Sequence, residues 1–208
     1  MKNHAIKVKN LTKYFGTLRA VNEIDFNISQ GKTYGLLGPN GAGKTTIIRL
    51  LNGIISKTSG NIQIEGYNID NDEDKKKIKY ICGFLPESPG IYSKLSAREF
   101  LQFMGDLFYL PRNLSNIRIT ELLSIFQLLE REDELLESFS RGMKQKVCIC
   151  AALIQDPDII FLDEPTSNLD PAAARMVKNL ILELADKANK TIFICTHLLD
   201  AAEELCDE

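Results

Sequence analysis

The sequence predicts an α/β fold with a mostly parallel sheet, an antiparallel β portion at the N-terminus and a helical block inserted between the strands of the core. Short apolar segments alternate with helical patterns at both ends of the chain, as strands joined by crossover helices do. Two segments of period-2 alternation, residues 5–9 and 21–28, come before any helical pattern and read as an antiparallel pair. From Ser96 to about residue 152 only helical periodicity is present.

The elements follow in order. Residues 10–18, between the first two strands, read as a loop. Thr33–Leu37 is a short apolar strand that runs through a Gly-rich turn into a helical pattern at Lys44–Leu51, closed by Asn52-Gly53. Residues 61–65 alternate again and stop at Gly66. The charged run 70–79 places acidic residues before basic ones, which suits a short exposed helix. Residues 81–85 form a strand stopped by Pro86. Ser96-Ala97-Arg98-Glu99 is a capping box and opens a helix to about residue 110. Apolar spacing predicts a second helix around 122–129 and a third at 141–154. A buried strand at 158–162 follows, then a helix over 171–187 with Asp170 as N-cap and Pro171 at its first position. Thr191–Thr196 is another strand, and residues 200–206 begin a last helix.

A chain of 208 residues is long enough for one large domain. With 44% hydrophobic and 25% charged residues, it is neither disordered nor collagen-like nor a disulfide scaffold. At a net charge of −3, no sequence-wide field argues for nucleic acid or acidic lipid as the main partner, and a local basic patch stays open. No apolar run approaches the roughly 20 residues of a spanning helix. The N-terminus lacks the apolar stretch of a signal peptide, so a cytoplasmic location is expected. The five cysteines contain no C-x-x-C pair and read as reduced, mostly buried thiols.

Two motifs carry chemistry. Gly38-Pro39-Asn40-Gly41-Ala42-Gly43-Lys44-Thr45 satisfies G-x-x-x-x-G-K-[ST] and lies where that motif acts, between a strand and a helix. Its glycines let successive backbone N–H groups face phosphate oxygens, helped by the positive end of the helix. Lys44 would neutralise phosphate charge, and Thr45 would offer a hydroxyl to magnesium. Further on, an apolar strand delivers Asp163 and Glu164 to its carboxyl end, the edge where open α/β sheets bind ligands. There Asp163 suits a magnesium ion, and Glu164 suits polarisation of an attacking water.

With these motifs the chain resembles, from about Ile6 onward, the nucleotide-binding domain of ATP-binding cassette (ABC) proteins, which is built on a P-loop NTPase core. Further segments fit in the same order. Phe84-Leu85-Pro86-Glu87 occupies the Q-loop position and Phe139-Ser140-Arg141-Gly142-Met143 the signature position. Ser167-Asn168-Leu169-Asp170 lies at the D-loop, and His197 matches the switch histidine. Leu11 to Gly16 corresponds to the loop whose aromatic stacks on adenine; Phe15, directly before Gly16, is preferred to Tyr14, with core packing as the alternative for either ring.

The resemblance implies ATP and Mg2+ as cofactors. ATP would lie on Phe15, the 38–45 loop and Thr46, with Thr45, Glu87 and Asp163 toward the metal and Glu164 and His197 as catalytic residues. Ser140, Arg141, Gly142, Met143 and Asp170 would act across a dimer on ATP held by a second nucleotide-binding domain. Two departures, Glu87 for the usual Gln and Phe-Ser-Arg-Gly-Met for Leu-Ser-Gly-Gly-Gln, resemble an exporter-type subgroup. An ionised carboxylate at Glu87 can meet magnesium but cannot donate to water as an amide does.

The implied function is an ATP-hydrolysing subunit, peripheral on the cytoplasmic face of the membrane, that powers a separate permease for export. The stretch between Pro86 and Phe108 would meet the permease. One domain over residues 1–208 is expected, with its helical part at about 90–155. Family members continue beyond the switch histidine through further strands, so a truncated C-terminus is expected. A soluble ABC ATPase acting on ribosomes or DNA is the alternative, though the chain has neither a second cassette nor a long coiled-coil insertion. A GTPase or small-molecule kinase fits less well, because Asn189-Lys190-Thr191 is not followed as a guanine motif requires.

Overall fold

The computed structural model describes residues 4–88, 90–167, 169–186 and 188–207. Among the sequence expectations, the D-loop position at Asn168 and the helix end at Lys187 lie outside the described residues.

In chain order, β1 (His4–Phe15) and β2 (Leu18–Ser29) lead into β3 (Thr33–Leu37) and α1 (Lys44–Leu51). Then come β4 (Ser59–Ile64), β5 (Tyr67–Asn68), α2 (Asp72–Ile81) and β6 (Cys82–Leu85). Three helices follow, α3 (Ala97–Leu107), α4 (Arg112–Ile125) and α5 (Arg141–Leu153). The chain continues through β7 (Ile159–Asp163), α6 (Pro171–Asp186), β8 (Thr191–Thr196) and α7 (Leu199–Leu205).

The strands form two sheets. An antiparallel sheet has the order β2-β1-β4-β5, and a parallel sheet has the order β3-β8-β7-β6. Residues 10–18 are not a loop: β1 runs on to Phe15 and pairs with β2 down to Phe15 opposite Leu18. The alternation of the sequence is lost there because the register shifts between Val8 and Leu11, where Asn10 takes φ 50°. The capping box forms: Ser96 Oγ accepts from Glu99 N–H at 3.1 Å while Ser96 N–H donates to the Glu99 carboxylate at 2.7 Å. The helix that it opens ends at Leu107 rather than near 110.

The second helix is displaced from its expected place, running over Arg112–Ile125 instead of 122–129. Gln127 takes φ 57° and breaks it, yet Leu128 is still buried in the same core, so the apolar spacing outlasts the helix. Asn71 caps α2, accepting from the N–H groups of Glu73 and Asp74, ahead of an acidic first turn.

Two apolar cores result. Ile6, Val8, Ile62 and Ile64 of the antiparallel sheet pack with Ile47, Ile48 and Leu51 of α1 and with Phe161 and Phe193 of the parallel sheet. Those two rings meet edge to face at 6.1 Å. The second core joins α3, α4 and α5 to the other face of the parallel sheet and to α6. Close packing there needs glycine at position 83, since a Cβ would overlap the Ala152 carbonyl of α5. The helices α3 to α5 thus leave the sheet after β6, and the chain returns to it at β7, the neighbouring parallel strand.

Candidate functional site

Parallel register brings the chemistry to one edge. Leu37 pairs with Thr196 and Asp163 with Cys195, so the carboxyl ends of β3, β7 and β8 lie side by side. Whatever follows each strand, namely the 38–43 loop, Glu164 and His197, emerges at that edge.

The 38–43 loop turns sharply into α1. Ala42 N–H donates to Pro39 O at 3.2 Å, and Gly41 and Gly43 take φ 84° and 92°. A Cβ on Gly43 would stand 2.7 Å from Ala20 O of β2, so glycine is required both by conformation and by the approach of the first hairpin. Among the described residues no side chain caps α1, which leaves its leading N–H groups to an anion. Lys44 is buried, and its Nζ donates to Gly38 O at 2.6 Å and Pro39 O at 3.1 Å. These carbonyls hold the ammonium within the loop that it would share with phosphates.

Asp163 is 1% exposed, and neither of its carboxylate oxygens has a hydrogen-bond partner among the described residues. Its pKa is raised, first by burial and further by the negative charges of Glu87 and Glu164. Thr45, on the first turn of α1, is near enough to pull it partly back, although it does not reach hydrogen-bond geometry in this structure, and Arg49 adds a smaller pull. A buried, unpaired carboxylate beside a hydroxyl and a second carboxylate is a set of hard oxygen donors of the kind magnesium takes.

Glu164 follows with φ 53°, an uncommon conformation for a non-glycine residue. Its N–H donates to Cys195 O at 2.9 Å, which turns the side chain toward the end of β8. One carboxylate oxygen lies 2.8 Å from His197 Nδ1 and the other accepts from Thr196 Oγ1 at 3.3 Å. Glu164 is buried while the His197 side chain is 44% exposed, so the pair reaches from the sheet edge toward solvent. The sequence reading missed Thr196; its only signal is its place directly before the histidine.

Other expected residues fall near this edge or away from it. Glu87 is exposed just beyond β6, whose Leu85 pairs with Leu162 of β7, and its charge reaches Asp163. Phe15 is half-exposed at the end of β1, with Lys13 Nζ 4.8 Å from its ring centre, and Tyr14 is similarly exposed. Neither ring is a core residue. Ser140 is the N-cap of α5, its Oγ accepting from Met143 N–H at 3.3 Å. Asp170 caps α6 by accepting from Ala172 and Ala173. A Cβ on Gly142 would lie 3.6 Å from Leu169, so the 139–143 turn borders the segment leading to α6. The side-chain hydrogen bonds of Ser140 and Met143 lie within residues 131–143 and, among the described residues, none reaches the 38–45 loop.

An apolar groove of about 680 Å³ opens elsewhere, between α2 and β6 on one side and α3 and α5 on the other. Phe84, Tyr92, Phe100, Phe103 and Phe108 line it. Four of the five free thiols are buried, and Cys206 is partly exposed. Among the described residues, no helix is long and apolar enough to cross a membrane.

A parallel sheet whose edge carries a Gly-rich anion loop, a buried Asp and a Glu paired with His defines a P-loop NTPase. The ABC transporter family model matches residues 21–167, more than half of the chain. The chain belongs to this family. It is 42% identical over 202 residues to the bacitracin transport ATP-binding protein BcrA of Bacillus licheniformis, covering 97% of this chain and 64% of that one. It is 34% identical over 203 residues to the Nod factor export ATP-binding protein I of Ralstonia nicotianae, covering 98% and 62%. The chain therefore spans less than two thirds of the length of either relative. A dimeric post-hydrolysis structure of the ATP-binding cassette MJ0796, bound to ADP and Pi, superposes with a TM-score of 0.88 at 26% identity, covering 96% of this chain and 90% of that one.

Proposed function

We propose that the chain is the ATP-hydrolysing subunit of an ABC transporter, acting at the cytoplasmic face of the membrane to power a separate permease for export. One observation carries the reading: the Lys44 loop, the unpaired buried Asp163 and the Glu164–His197 pair share one sheet edge. ATP phosphates would replace the Gly38 and Pro39 carbonyls as partners of Lys44 and take the N–H groups of Gly41 to Thr46. The adenine would stack on Phe15 at the hairpin that approaches the loop through Ala20.

Thr45 and Asp163, with Glu87 beyond them, would hold Mg2+, which supplies charge neutralisation on the transferred phosphoryl group. Glu164 would accept hydrogen-bonded water at its buried carboxylate, oriented by Thr196 and His197, and take the proton as the water attacks. Ser140, Arg141, Gly142, Met143 and Asp170 would complete the site of a second nucleotide-binding domain, sandwiching ATP between two chains. The same cassette would comprise residues 1–208, with the helical part at about 90–155. The aromatic groove beside Pro86 would receive the permease, and the relative named for Nod factor export supports the outward direction.

The test is ATP turnover by the full-length protein. We expect phosphate release that requires Mg2+, rises more than linearly with protein concentration and is lost in Lys44→Ala. Turnover strictly proportional to protein, or retained in Lys44→Ala, would overturn the reading. Reconstitution with its permease should couple that turnover to efflux from cells or uptake into inverted vesicles.

A further inference from the structure

We propose that Arg131 is a positioning residue for the Phe139–Met143 turn, fixing it in the form that receives an anion from a second subunit. The inference rests on the ATP-sandwich reading above and deepens it.

Arg131 touches the turn on both sides of Ser140. Its guanidinium carbon lies 5.3 Å from the centre of the Phe139 ring, one residue before the cap. Its Nη1 donates to Met143 Sδ at 3.3 Å, three residues after the cap. The other nitrogens are fixed by a bidentate pair with Glu134, Nε to Oε1 at 2.8 Å and Nη2 to Oε2 at 2.6 Å. The planar cation is thus held in place before it holds anything else. Phe139 is 4% exposed, so the ring cannot yield, whereas Ser140 and Arg141 are exposed.

The side-chain cap of α5 is the Ser140 hydroxyl, at a long 3.3 Å from Met143 N–H. Such a turn, ending in a glycine-containing first helical turn, has little of its own to keep its N–H groups aimed outward. Arg131 supplies that by tying position 139 to position 143. The thioether of Met143 accepts where the commoner glutamine of the signature would offer an amide, so the contact belongs to this chain's own version of the motif. Lysine could replace it only in part, because an ammonium has neither the stacking plane nor the fork.

The experiment uses the full-length protein carrying Glu164→Gln, in which bound ATP should persist. ATP is titrated while dimer is followed by light scattering, and binding of a fluorescent ATP analogue is measured separately at protein concentrations that keep the chain monomeric. Adding Arg131→Gln should raise the ATP needed for half-maximal dimer about tenfold, the scale of one lost cation–π and charged hydrogen-bond contact. Analogue binding should stay at the parent's value, while the melting temperature falls by a few degrees at most, because the lost contacts lie within one chain. Arg131→Lys should fall between the two. Met143→Leu, close to volume-conserving, should weaken dimerisation in the same direction and add little to Arg131→Gln. Dimerisation at the parent's ATP concentration overturns the proposal, and so does a loss of monomer binding in step with dimer. A parent that never dimerises defeats the sandwich reading itself, and this inference with it.

Discussion

His197 Nδ1 sits 2.8 Å from a carboxylate oxygen of Glu164 whose other oxygen is held by Thr196. The base of the proposed reaction is thereby fixed at both oxygens before any substrate arrives, a form of preorganisation that avoids reorienting it during the chemical step. Glu164→Gln keeps the size and loses the basicity. We expect turnover to fall at least about 100-fold, the lower range for a lost general base, with ATP binding intact and an ATP-bound dimer visible by size-exclusion chromatography.

His197→Ala should have a smaller effect, about tenfold on kcat, because Thr196 still orients one oxygen. Phosphate-release assays at saturating ATP compare the two. Equal losses would mean that Thr196 alone does not hold the base in place.

Asp163 gives a prediction in which stability and function move oppositely. Burial raises its pKa above the ordinary 3.8, so the folded chain binds more protons than the unfolded one between that value and the raised one. Stability of the nucleotide-free protein therefore falls as pH rises through that window and stays reduced at neutral pH. Asp163→Asn removes the unpaired charge. It should raise the melting temperature without nucleotide by roughly 2–4 °C, corresponding to about 1 kcal/mol. It should also abolish the extra stabilisation that Mg2+ adds to ATP. A lower melting temperature in differential scanning fluorimetry would show that the carboxylate is paired in solution.

The sequence made the edge legible through local patterns. A Gly-rich turn between the Thr33–Leu37 strand and the Lys44–Leu51 helix has one place to go, and Pro171 with Asp170 marks a helix start without tertiary help. The pairing of Glu164 with His197 was not legible, because it depends on register between parallel strands and on a left-handed backbone at position 164. The strand read as a loop and the end of the second helix fail for a shared reason. At Asn10 and Gln127 a single residue with positive φ changes the backbone while the flanking apolar residues keep facing the same core. Arg131 is legible only in part: Glu134 is a local partner three residues on, whereas the contact to Met143 forms only once the 129–139 segment folds back on the start of α5.

Phe15 and Tyr14 are adjacent, and both are exposed, by 47% and 41%, so burial does not separate them. Position does, since Phe15 pairs with Leu18 at the hairpin end while the backbone of Tyr14 is tied to Thr58. Phe15→Ala should weaken ATP binding by about tenfold, the lower part of what a base–aromatic stack contributes. Tyr14→Ala should change it by less than about twofold. Isothermal titration with ATP, and with a triphosphate lacking a base, separates stacking from other effects: Phe15→Ala should leave the baseless ligand unaffected. The reverse order of the two variants would move the stack to Tyr14.

Ser140 caps α5 and faces outward, so a substitution there separates the two roles. Ser140→Gly removes the hydroxyl but keeps a residue that suits a cap position, at a cost of only a few tenths of a kcal/mol. Ser140→Arg removes the cap, at about 1 kcal/mol, and fills the space before the helix N-terminus with a long side chain. Both variants should bind ATP as monomers with the affinity of the parent, because the 38–45 loop lies on the sheet edge and Ser140 bonds within its own turn. Dimerisation should weaken in Ser140→Gly and disappear in Ser140→Arg when each is placed in the Glu164→Gln chain. Analytical ultracentrifugation with and without ATP reads both. Loss of monomer binding in Ser140→Gly would place the serine in the same chain's nucleotide site and remove the need for a second subunit.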